Sequence, residues 1–234
     1  MLLQVEDLHA HYGKSHVLRG VTLDVRRGEV VSLLGRNGSG RSTTLKAMMG
    51  LVPPSAGRVQ LGARALAGAE PHTICRAGLA YVPEEREVFA NLTVDENLRM
   101  GEQPPVEGAQ RWSTEQMFDY FPRLKERRGT KAGSLSGGEQ QMLTICRSLL
   151  GNPLAILIDE PTEGLAPKIV AQVAECIRDM QRRGVSVLLV EQKLAIALKV
   201  SSRVCVMGHG RIVFEGSPQA LETDDALLQQ WLAV

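Results

Sequence analysis

The 234 residues predict an α/β protein built on a parallel sheet, and three stretches carry that prediction. Residues 154–158 and 185–190 are short, almost continuously apolar runs, as strands buried on both faces are. Between them, Ile169, Val170, Val173, Ile177 and Met180 fall at helical spacing, in a segment that opens at Pro167 and stops at Gly184. The third stretch is an apolar run at 30–34, a glycine-rich loop at 35–43, and a helical segment at 44–49 ended by Gly50. Strands alternating with helices imply a sheet that carries its ligand loop at a strand's carboxyl end.

The other elements follow in order. Residues 2 to about 30 read as short strands of an antiparallel β layer, with turns at Gly13-Lys14 and Arg27-Gly28. Pro53-Pro54 breaks the chain, and 57–61 returns a strand. From about 88 to 150 the pattern is helical, interrupted near Gln103-Pro104-Pro105, and is read as a helical subdomain within one domain spanning 2–234. Residues 216–234 read as a strand exit and short helices, with Trp231 and Leu232 as packing anchors. There is no internal repeat and no low-complexity tract.

Composition excludes several classes. At 44% hydrophobic, the chain can bury a core as one large domain or two coupled lobes. A net charge of +1 gives no positive field for a nucleic-acid partner, and none is expected. Residues 1–7 are acidic, without the basic and apolar regions of a signal peptide. No apolar run approaches the ~20 residues that cross a bilayer, so any membrane association is expected through a partner protein. Cys75, Cys146, Cys176 and Cys205 form no C-x-x-C pair and read as ordinary thiols, Cys146 and Cys176 on buried helix faces. His9 and His11 alternate across a strand, and no metal site is assigned to the histidines.

The chemistry is concentrated in three motifs. Gly35, Arg36, Asn37, Gly38, Ser39, Gly40, Arg41, Ser42 and Thr43 form a phosphate-binding loop whose usual lysine is Arg41. Its glycines let backbone N–H groups turn inward around anionic oxygens, and the helix behind adds its positive end. Ser42 stands where a hydroxyl can ligate Mg²⁺. A glycine-rich turn that merely joins a strand to a helix is the plain alternative, and the later motifs weigh against it. Asp159 and Glu160 follow the run ending at Ile158, placing one carboxylate to hold Mg²⁺ and the next to polarise an attacking water. Ser136, Gly137, Gly138 and Glu139 open another helix, leaving N–H groups and a hydroxyl free for a second anion.

The string L-S-G-G-E-Q-Q at 135–141 resembles the signature of the ATP-binding cassette (ABC) ATPases, over essentially the whole chain. The resemblance implies a P-loop NTPase cassette: an antiparallel β layer, a RecA-like parallel-sheet core and a helical subdomain, with ATP and Mg²⁺ bound. It implies that the Ser136–Glu139 helix start faces nucleotide held by a second ABC ATPase subunit. Tyr12 matches the aromatic that stacks on adenine, Glu163-Gly164-Leu165-Ala166 the D-loop, Glu84 the Q-loop position, and Gln192 the switch position. Most members carry glutamine and histidine at the last two.

Glu84 and Gln192 resemble instead the smaller ATPase of branched-chain amino-acid importers, with urea-importer ATPases as close relatives. That implies a peripheral motor at the cytoplasmic face of the inner membrane, paired as a heterodimer, driving transmembrane permease subunits and served by a periplasmic solute-binding protein. Val88 and Phe89 are expected to pack on a permease helix. Glu84 is expected to serve as a further oxygen ligand for the metal, and Gln192 as a neutral donor to the γ-phosphate. Arg41 leaves two outcomes open: a slower ATPase, or a nucleotide-binding regulatory subunit with impaired hydrolysis.

Overall fold

The computed structural model describes residues 1–232; Ala233 and Val234, the end of the expected 2–234 span, lie outside them. The chain begins with β1 (Leu3–Tyr12) and β2 (Ser15–Val25), joined by a tight turn at Gly13 with φ 57°. They are long rather than short, and β1 bends through register shifts between Val5 and His9. Next come β3 (Val30–Leu34), α1 (Arg41–Met48), β4 (Pro54–Leu61), β5 (Arg64–Ala65), α2 (Pro71–Arg76) and β6 (Leu79–Val82). Four helices follow: α3 (Val94–Gly101), α4 (Thr114–Tyr120), α5 (Pro122–Glu126) and α6 (Gly137–Leu149). The last part holds β7 (Ala155–Asp159), α7 (Pro167–Arg182), β8 (Ser186–Val190), α8 (Leu194–Val200), β9 (Arg203–Gly208), β10 (Arg211–Gly216), α9 (Pro218–Glu222) and α10 (Asp225–Trp231).

Two sheets result. The antiparallel one runs β2-β1-β4-β5. The other runs β10-β9-β3-β8-β7-β6, parallel throughout except for the antiparallel edge strand β10. Every residue of β3, β7 and β8 is buried, which is why these strands read as unbroken apolar runs. The ends of β3, β7 and β8 converge on one edge, where the loops carrying the candidate site residues begin.

One apolar cluster lies between the two sheets and includes Leu8, Leu33, Leu45 and Leu188. Another joins the parallel sheet to the helices, through Leu98, Phe121, Leu143, Ile158 and Ile177. Cys146 and Cys176 are both buried in it, and burial raises the pKa of both thiols. Trp231 and Leu232 pack on a third, smaller cluster built around Leu34 and Val204.

Fully buried Asn97 pins the link between β6 and α3. Its Oδ1 accepts from the Phe89 amide at 2.9 Å, and its Nδ2 donates to the carbonyls of Phe89 and Thr93 at 3.1 and 3.0 Å. Asn97→Leu leaves the Phe89 amide without its acceptor, while the Phe89 and Thr93 carbonyls keep the Leu92 and Asn97 amides, at a cost of roughly 2 kcal/mol. The expected fall in melting temperature is about 4–8 °C, read by circular dichroism; an unchanged midpoint would remove Asn97 from this role.

Candidate active site

The glycine loop runs from the end of β3 into α1. Gly35 has φ 150°, and a Cβ there would lie 2.5 Å from the Met207 carbonyl of β9 and 2.8 Å from Ser39 Oγ. Gly38 and Gly40 also take positive φ, at 79° and 107°. Gly40 caps α1 without a side-chain acceptor, so the first-turn amides of Arg41, Ser42 and Thr43 have no cap. Ser39 Oγ is buried with no partner. Uncapped amides and an orphaned hydroxyl are what an incoming phosphate would satisfy. The Arg36 guanidinium points elsewhere and donates to the Gln229 carbonyl at 2.9 Å, tying the loop to α10.

Across from this loop, β7 delivers Asp159 and Glu160. Ser42 Oγ donates to Asp159 Oδ1 at 3.0 Å, and the Tyr81 hydroxyl donates to Oδ2 at 3.3 Å. Burial raises the pKa of Asp159 despite those bonds. A hydroxyl and a carboxylate as close neighbours are hard oxygen donors of the kind Mg²⁺ takes. Glu160 is held at φ 46°, an uncommon left-handed conformation for this residue type, with its amide on the Val190 carbonyl. Its Oε2 accepts from Gln192 Nε2.

Arg41 is 5% exposed. Its Nη2 donates to Glu160 Oε1 and Asn37 Oδ1, both at 3.1 Å, and Nη1 to the Glu191 carbonyl at 3.4 Å. Glu160 is pushed up to about 7 by burial, against the pull of Arg41, with Glu84 adding to the rise. Asn37, Gly38, Gly40, Arg41, Ser42, Thr43, Glu84, Glu160, Glu163 and Gln192 line one cleft of about 310 Å³. Among the described residues, one group of three metal-capable side chains has its ligand atoms within 4.8 Å of one another: Glu84, Glu160 and Glu163. Glu84 is raised by burial and by Glu163 and Asp159.

Sequence reasoning missed two supports, Tyr81 and Glu191. Buried Glu191 accepts from the Gln192 and Lys193 amides, both at 2.9 Å, and from the Thr162 hydroxyl at 2.7 Å. It thus fixes the turn that carries Gln192. A carboxylate beside a polar turn reads as solvated in a sequence, and nothing in the spacing shows that this one points inward.

The Ser136–Glu139 turn does not line the cleft. The expectation of a free hydroxyl there is corrected by the structure. Ser136 Oγ accepts from the Glu139 amide at 3.4 Å, and Glu139 Oε2 accepts from the Ser136 amide at 2.8 Å, a complete capping box, with the Ser136 hydroxyl also donating to Oε2 at 2.9 Å. The S-x-x-E spacing was visible in the sequence and signalled it. Burial works to raise Glu139, but the Ser136 bonds and Arg127 outweigh it and hold the carboxyl low. Arg86 reaches over this helix start: a Cβ on Gly137 would meet its Nη1, and its Nη2 donates to the Glu163 carbonyl at 3.4 Å. Tyr12 stands at the end of β1, 51% exposed.

The family described as ABC transporter matches residues 18–163, spanning the glycine loop, the signature string and the Asp159-Glu160 strand end. The chain belongs to the ABC transporter family. It is an ABC-type ATPase. It is 41% identical to the high-affinity branched-chain amino acid transport ATP-binding protein BraG of Pseudomonas aeruginosa, over 99% of both chains. Identity to the lipopolysaccharide export system ATP-binding protein LptB of Acidithiobacillus ferridurans is 35%, over 99% of this chain and 96% of that one. Among solved structures, a nucleotide-free ATP-binding cassette from an ABC transporter superposes with a TM-score of 0.84 at 26% identity, covering 100% of this chain and 98% of that one.

Proposed function

We propose that this ABC ATPase energises an importer of branched-chain amino acids. The similarity to BraG along the whole of both chains carries that reading. Glu84 and Gln192, which depart from the usual glutamine and histidine, support it. In this reading the subunit sits at the cytoplasmic face of the inner membrane, pairs with a second and different ABC ATPase subunit, and drives transmembrane permeases fed by a periplasmic solute-binding protein. Among the described residues no helix is long and apolar enough to cross a membrane.

The chain's own residues divide the work. Amides of the loop from Gly35 to Thr43 cradle the phosphates, and Tyr12 stacks on the base. Ser42 and Asp159 would hold Mg²⁺, with Glu84 as a further oxygen donor, and the ion would supply charge neutralisation at the phosphates. Glu160 takes the proton of the attacking water, and Gln192 orients that carboxylate and donates to the γ-phosphate. Ser136, Gly137, Gly138 and Glu139 open the helix that faces the nucleotide of the second subunit. Turnover by the assembled transporter should rise when its binding protein is loaded with leucine, isoleucine or valine. A transporter stimulated by lipopolysaccharide and not by amino acids would move the chain to the export branch.

The structure separates the two residues expected to touch the permease. Val88 packs inward against the helical core, whereas Phe89 is 46% exposed under the Arg147 guanidinium, 4.7 Å from the ring centroid. Phe89 and the exposed Met100 line a groove of about 440 Å³ together with Arg76, Tyr81 and Arg147. Phe89→Ser should cut amino-acid uptake by about tenfold or more while leaving the affinity of the isolated subunit for ATP intact. Undiminished uptake by proteoliposomes carrying this variant would exclude Phe89 from the permease contact.

A further inference from the structure

We propose that Arg41 is a positioning residue for Glu160: without nucleotide its guanidinium holds the Glu160 carboxylate, and a bound triphosphate frees that carboxylate by drawing the guanidinium to itself. The proposal rests on the reading of Glu160 as the water-activating base and concerns how that base is switched.

Three observations carry it. First, the pair is dry: the Arg41 and Glu160 side chains are each 5% exposed, and Nη2 lies 3.1 Å from Oε1. Second, both carboxylate oxygens are engaged, Oε1 by Arg41 and Oε2 by Gln192, so no oxygen of Glu160 is left without a protein donor. Third, the guanidinium spans three segments at once, bonding Asn37 of its own loop, Glu160 at the end of β7 and the Glu191 carbonyl after β8. A planar fork of five N–H donors can make that set of contacts, whereas an ammonium is a single compact centre.

The competition has a definite direction. Phosphate oxygens offer a guanidinium paired, charge-assisted acceptors, and a triphosphate brings several negative charges into a cleft that Arg41 itself lines. Both Nη2 protons are committed to Asn37 and Glu160, so a phosphate gripped by a guanidinium edge that includes Nη2 takes that group from Glu160. The usual phosphate-loop lysine would bind the phosphates without this fork to Glu160. The arginine therefore adds a step in which the base is exposed only when the nucleotide is in place.

The test is a double-mutant cycle on the full chain, using Arg41→Met, Glu160→Gln and the double variant. Thermal melting is followed without nucleotide and again with saturating ATP in EDTA, where hydrolysis cannot intervene. Without nucleotide, the two changes should be non-additive by about 3 °C or more; with ATP they should add to within about 1 °C. A packing role alone would give the same coupling in both states, and that result overturns the proposal, as does additivity without nucleotide. If Arg41→Met does not fold, Arg41→Gln, which is polar but lacks the charge and the fork, is read in the same way. ATP that fails to shift the melting of the unaltered chain would overturn the nucleotide-site reading itself, a result distinct from a shift without coupling.

Discussion

Glu160→Gln should stop ATP turnover by the assembled transporter while the subunit still binds ATP. The amide has the size and shape of the carboxyl group and fits the same space, but it carries no charge and offers one acceptor where the carboxylate offers two, to Arg41 and Gln192. It cannot accept the proton of an attacking water, and loss of a positioned general base costs roughly a hundredfold to ten-thousandfold in rate. Ser42 and Asp159 bond each other rather than Glu160, so the proposed metal position is undisturbed. Phosphate release by the purified complex decides the matter, and turnover unchanged by the substitution would falsify the assignment of the base. A parent complex that binds ATP and releases no phosphate would make the subunit a nucleotide sensor, the other outcome that Arg41 leaves open.

The same residue sets the expected pH dependence. Burial raises the Glu160 carboxyl to about 7, and a protonated carboxyl cannot act as base. The working form therefore gains population as pH increases, and kcat/KM, which reports groups of the free enzyme, should climb as pH is raised through about 7. A profile that falls across the same range would place the titrating group elsewhere.

The motifs of this site were legible because each is local. A glycine loop after an apolar run and an acidic pair closing another are written in neighbouring residues. What joins them is not. Arg41 and Glu160 are 119 positions apart, and only the parallel pairing of β7 with β8 and of β8 with β3 brings their segments to one edge. Glu191 shows the same limit, since its three bonds come from Thr162 and from the turn that it organises.

Some elements were passed over for weaker signals. The strands β6 and β9 have no distinct signal in the sequence, and of β10 only the exit near Gly216 does. β6 has four residues, and β10 alternates exposed and half-buried positions at the sheet edge. β9, though buried along most of its length, is a short apolar run ending in Gly208-His209-Gly210, which drew no reading of its own. Yet β9 supplies the backbone that the glycine loop rests on, so part of the loop's shape comes from a strand absent from the motif.

That dependence makes Gly35→Ala the substitution with the largest expected effect on binding. The added methyl would lie 2.5 Å from the Met207 carbonyl and 2.8 Å from Ser39 Oγ. Ser39 Oγ can rotate, but Met207 cannot easily move. Its strand is paired on one side with β3, where Leu34 faces Val206, and on the other with β10, where Ile212 faces Met207. The loop must therefore lift away from β9, carrying its amides out of register with the phosphates. A loss of about 3 kcal/mol, near a hundredfold in ATP affinity, is expected by titration with a fluorescent ATP analogue. Gly38→Ala is the control: its φ of 79° also disfavours a side chain, but a Cβ there meets nothing within 4 Å. It should cost on the order of 1 kcal/mol, less than tenfold in affinity. Equal losses at the two positions would mean that left-handed backbone, and not the approach to Met207, is what the loop requires.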